Sequence, residues 1–70
     1  LKLYFQRSNG ELDFVKELTS TDEAVSAALE DLKIRNSQYK TYYQRTWTDH
    51  NGWYWIDVGS WSEFYVVIPD

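Results

Sequence analysis

The chain has 70 residues, about half the usual length of a domain, and is read as a single unit. Eleven Asp and Glu against seven Lys and Arg give a net charge of -4, which argues against nonspecific binding to DNA or anionic lipid. The absence of Cys excludes a disulfide scaffold, a thiolate metal site and a thiol nucleophile, while 43% hydrophobic and 19% aromatic residues supply the material of a core.

The strongest local signal is Asn9-Gly10, which predicts a hairpin over residues 2–18 closed by a two-residue type I′ turn. That turn sets Ser8 opposite Glu11, Phe5 opposite Phe14, Tyr4 opposite Val15 and Leu3 opposite Lys16. Alternation then puts Leu3, Phe5, Leu12 and Phe14 on the core face, with Leu18 at its end. Tyr4, Gln6, Asp13, Val15 and Glu17 take the other face.

Ser20-Thr21-Asp22-Glu23 has the form of a capping box, with Ser20 as N-cap and Glu23 reaching back. It opens a predicted helix over residues 21–36. Val25, Ala28, Leu29 and Leu32 fall at helical spacing on one stripe. Lys33 and Arg35 suit the negative end of the helix dipole, and Asp31 can reach Arg35 one turn on. Ile34 lies off the stripe.

From Tyr39 the pattern changes to period two, and residues 39–68 read as a three-stranded meander. The strands are Tyr39–Thr48, Trp53–Val58 and Phe64–Ile68, with a turn at Asp49-His50-Asn51-Gly52. The two turn lengths considered both place Tyr43, Arg45 and Trp47 with Tyr54, Ile56 and Val58. They place Tyr42, Gln44, Thr46 and Thr48 with Trp53, Trp55 and Asp57. The expected fold class is α+β: one antiparallel sheet of about five strands, in the order β-β-α-β-β-β, with one helix packed on one face. The Trp47, Ile56 and Val58 side is assigned to the helix. The opposite side then carries Tyr42, Trp53 and Trp55, with Tyr4 and Tyr65. On this reading the partner-binding candidates are Trp53, Trp55, Tyr42, Tyr65 and Asp57, because monomers rarely leave several large aromatics together in water. The plainer alternative is that aromatic and Thr side chains pair across strands only to stabilise the sheet.

Tyr42-Tyr43-Gln44-Arg45-Thr46-Trp47 and Asp57-Val58-Gly59-Ser60, followed by Glu63-Phe64, resemble the corresponding segments of short uncharacterised proteins encoded by phages and prophages of Gram-positive bacteria. The resemblance spans most of the chain and is sharpest between Tyr42 and Phe64. The chain departs from the pattern at Trp61 and in its extra Trp residues around the turn. The resemblance implies a small accessory protein made in the host cytoplasm, and it brings no activity and no catalytic residues with it.

Little in the chain points to catalysis. His50 is the sole His and reads as a turn residue; one imidazole without thiolates falls short of a zinc site. Ser60 is too far along the same extended segment to form a triad with it. Asp13, Glu17 and Asp57 could pair for acid–base work, but no second domain supplies a cleft. Phosphate-cradling glycine motifs are absent. No cofactor is expected. No stretch of 18 apolar residues and no basic-then-apolar opening segment occurs, so neither a membrane span nor an export signal is expected.

Three functions are compatible with these residues. The first is a non-enzymatic protein-interaction module, docking a host or phage protein, or a second copy as a homodimer, through the aromatic sheet face. The second is an acidic nucleic-acid mimic that inhibits a host enzyme such as a CRISPR or restriction effector. The third is a single-stranded nucleic-acid binder, for which the aromatics are present and the basic groove is missing.

Overall fold

The computed structural model describes residues 1–36, 44–60 and 62–70. Along the chain run β1 (Lys2–Gln6), β2 (Leu12–Glu17), a 3-10 turn (Thr21–Glu23), α1 (Ala24–Arg35), β3 (Arg45–Thr48), β4 (Tyr54–Asp57) and β5 (Phe64–Ile68). The strands form one antiparallel sheet in the order β2-β1-β5-β4-β3, and α1 covers one face. The expected α+β class is therefore observed. The first part of the predicted strand Tyr39–Thr48, and Trp61, lie outside the described residues.

Both hairpins close with three-residue loops rather than the expected geometry. At the first, the Arg7 N–H donates to the Glu11 carbonyl at 2.8 Å and the Gly10 N–H to the Arg7 carbonyl at 2.8 Å. Gly10 has φ of +91°, whereas Asn9 stays at negative φ, so the loop is a type I turn followed by a left-handed Gly and not a type I′ turn. One extra loop residue slips the register by one and turns the neighbouring side chains over. Tyr4 thus faces Phe14, Phe5 faces Asp13 and Gln6 faces Leu12. Leu12 and Phe14, expected in the core, point away from the helix and are 38% and 57% exposed. A bulge at Val15 restores the expected Leu3–Lys16 pair, and Val15 packs against the core.

The second hairpin repeats the device. The Asp49 N–H donates to the Trp53 carbonyl at 2.9 Å, the Gly52 N–H to the Asp49 carbonyl at 3.0 Å, and Gly52 has φ of +81°. Trp47 consequently pairs with Trp55, Arg45 with Asp57, Thr46 with Ile56 and Thr48 with Tyr54. Trp47, assigned to the helix side, stands instead on the open face with Trp55.

The helix begins as expected but is capped differently. Ser20 is extended and its hydroxyl makes no capping bond. The Glu23 carboxylate reaches back one residue further, accepting from the Thr19 backbone N–H at 3.3 Å and from the Thr19 hydroxyl. Ala24, Ala27 and Ala28 form the buried stripe, with Val25, Leu29 and Leu32 half-buried beside it. Small side chains there let the helix lie close to the sheet. Ile34 is 84% exposed, off the stripe as expected.

The core sits between α1 and Leu3, Phe5, Ile56, Val58, Tyr65 and Val67. Burying each large apolar side chain contributes roughly 1.5–3 kcal/mol. Tyr65, expected on the open face, is fully buried beneath the helix. Its position follows from register, since it pairs with Phe5 and with Ile56, both core residues. Among the described residues, no helix is long and apolar enough to cross a membrane.

Candidate functional site

The register places one apolar row across all five strands of the open face. Phe14 pairs with Tyr4, Tyr4 with Val66, Val66 with Trp55 and Trp55 with Trp47. Val66 is fully buried although it lies on the uncovered side, between Tyr4 and Trp55. The rings hold one another upright. Trp47 and Trp55 stack at 6.3 Å with 13° between their planes, and Phe64 sets its ring nearly perpendicular to both. Trp53 tilts against Trp55 at 6.4 Å, and Tyr4 meets Phe14 edge-on at 5.9 Å. Gln6, Trp47, Trp55 and Phe64 line a shallow apolar depression of about 240 Å³. Trp53, Trp55 and Phe64 are half-buried, and Trp47 is exposed.

Two polar groups frame this cluster. One Asp49 carboxylate oxygen accepts the backbone N–H groups of Asn51 at 2.9 Å and Trp53 at 3.1 Å. The other accepts the Trp55 indole N–H at 2.8 Å. These bonds, the indole bond foremost, hold the Asp49 carboxyl below its usual range. Arg45 lies 5.0 Å from the Trp47 ring centre and donates to Asp57 at 3.4 Å. The face carries no surplus of cations: Lys2 stands opposite Glu17, Arg45 beside Asp57, and the Asp49 carboxylate adds one further negative charge.

Of the residues expected at the site, Trp53 and Trp55 are brought together on the open face. Asp57 shares that face but is 4% exposed, accepting from Arg45 and from the Gly59 backbone N–H at 2.9 Å. Tyr42 lies outside the described residues. Tyr65 does not belong to the face, being buried on the helix side. Trp47, Phe14 and Leu12 join the face through the register slip. Phe64 joins it by strand alternation, two residues before Val66 on β5.

Polar chemistry elsewhere is engaged in structure. Asp13 turns toward the helix and takes Arg7 at 2.8 Å and Arg35 at 3.5 Å. Arg35 also pairs with Asp31, which accepts the Tyr65 hydroxyl at 2.7 Å. A cleft of about 720 Å³ lies beside this network, and its two cations, Arg7 and Arg35, are both committed to Asp13. His50 is exposed in its turn. Among the described residues, no group of three or more His, Cys, Asp or Glu could hold a metal ion. What remains is a ring-covered sheet face without a surplus of cations, and no family model, curated protein or solved structure matches the chain that carries it.

Proposed function

We propose that this chain is a non-enzymatic protein-interaction module whose contact surface is the open face of the sheet, with Trp55 and Trp53 as anchors and Trp47 beside them. The observation that carries this reading is the unbroken row from Phe14 to Trp47 across five strands. Trp and Tyr dominate binding energy at protein interfaces because they bury much area at small entropic cost. The pairing of Lys2 with Glu17 and of Arg45 with Asp57 favours an apolar protein surface over a nucleic-acid backbone, which needs uncompensated cations. With the phage resemblance, the reading extends to an accessory protein acting on a host or phage protein in the host cytoplasm.

The test is affinity purification from infected host cells with the wild-type chain and Trp55→Ala side by side, at low and high salt. A specific protein held by the wild type at both salts and lost with Trp55→Ala is expected. Equal capture by both chains rejects the face. Capture that collapses as salt rises assigns binding to the carboxylates, as an acidic inhibitor requires.

A further inference from the structure

We propose that Asp49 is the positioning residue of the aromatic face, fixing Trp55 as a rigid anchor that contacts its partner through the ring alone. This rests on the reading of the open face as a contact surface, and it adds a division of labour among the three indoles. One Asp49 carboxylate oxygen closes the β3–β4 loop by accepting from Asn51 and Trp53. The other accepts the indole N–H of Trp55, six residues further on. A single side chain therefore joins the folding of the turn to the orientation of the ring at the centre of the cluster.

Two consequences follow from hydrogen-bond inventory. The Trp55 N–H is engaged inside the molecule and is not offered to a partner. Within the described residues, the indole N–H groups of Trp47 and Trp53 make no hydrogen bond, so they remain as donors next to it. Since Trp47 and Phe64 both rest on the Trp55 ring, its orientation propagates to them. Holding an anchor in its bound geometry before contact removes an ordering cost from association.

The variant that separates the two roles is Asp49→Asn. Its amide oxygen can still accept from the Asn51 and Trp53 backbone, but its NH₂ group cannot accept from an indole. Hydrogen exchange of backbone and indole N–H groups, read by NMR on the protein alone, is the measurement. In the wild type, Trp55 indole exchange should be slower than that of Trp47 and Trp53 by about tenfold or more, the scale of a hydrogen bond to a charged group. In Asp49→Asn it should rise to match them while the Asn51 and Trp53 amides keep their protection. Trp55 exchanging as fast as the other two in the wild type overturns the proposal without reference to any variant. So does unchanged indole exchange in Asp49→Asn, or joint loss of turn and indole protection, which would make Asp49 a turn cap only. No partner enters the measurement, so its failure and the failure of the interaction reading are told apart.

Discussion

The Tyr65 hydroxyl donates to Asp31 across 2.7 Å, tying the central strand of the sheet to the helix above it. Burial, reinforced by the Asp31 carboxylate, pushes the phenol well above its ordinary range. A phenol whose folded value is raised contributes stability that is complete below about pH 10 and lost as pH climbs toward the folded value. Absorbance titration should show one Tyr that ionises only as the protein unfolds. Tyr65→Phe should lower stability by about 1–2 kcal/mol, since Asp31 keeps Arg35 as a partner. Urea unfolding monitored by fluorescence measures that difference, and an unchanged midpoint would show that the bond adds nothing.

Phe5 and Phe14 belong to the same hairpin and should respond unequally to truncation. Phe5 is 8% exposed, packed on Tyr65 at 5.2 Å with the Arg35 guanidinium 4.1 Å above its ring. Phe5→Ala should cost about 3–5 kcal/mol. Phe14→Ala should cost about 1 kcal/mol, chiefly its edge contact with Tyr4. Equal losses in denaturant unfolding would mean that the first hairpin pairs in the other register.

Acid should weaken the fold through carboxylates that hydrogen bonds hold low. Thr19 lowers Glu23 through its hydroxyl, and the Trp55 indole lowers Asp49. Carboxyl groups depressed in the folded state contribute stability that is present above their unfolded values, near pH 4, and lost as pH falls through their folded ones. Unfolding midpoints should stay level from neutral pH to about pH 5 and decline below about pH 4. Replacing either Glu23 or Asp49 with its amide should flatten part of that decline.

Trp55→Ala should weaken partner binding by about 2 kcal/mol or more while the chain keeps its fold. The indole is half-buried on the uncovered face and contributes nothing to the core beneath the helix. Circular dichroism and a binding isotherm together settle the point. Loss of the folded spectrum would make Trp55 a structural residue.

Element types were legible in the sequence because each carries its own periodicity. Phe64–Ile68 was placed to the residue, and the helix ends one residue before its expected limit. Facing was another matter, since it turns on the parity of loop length. Asn9-Gly10 satisfies a two-residue turn and also the last two positions of a three-residue loop, and both leave Gly at positive φ. Only the backbone of Asn9 distinguishes them, and no side-chain pattern reports it. A clue did exist at the second turn, where Asp49 and Gly52 occupy the first and fourth positions favoured in type I turns. Reading it would have moved Trp47 to the open face. The bulge at Val15 leaves no comparable mark, and the facing of Tyr65 depends on its neighbours Phe5 and Ile56, which the β5 segment alone does not reveal.

The central place of β5 has a consequence for synthesis. Its neighbours are β1 and β4, so it bridges the N-terminal hairpin and the later one. Until the ribosome releases Phe64–Ile68, neither half has its seam, and Leu3, Phe5 and Ile56 have no common floor. Assembly of the sheet thus waits on β5, and a chain stalled just short of it would present two unjoined ribbons to the cell's proteases.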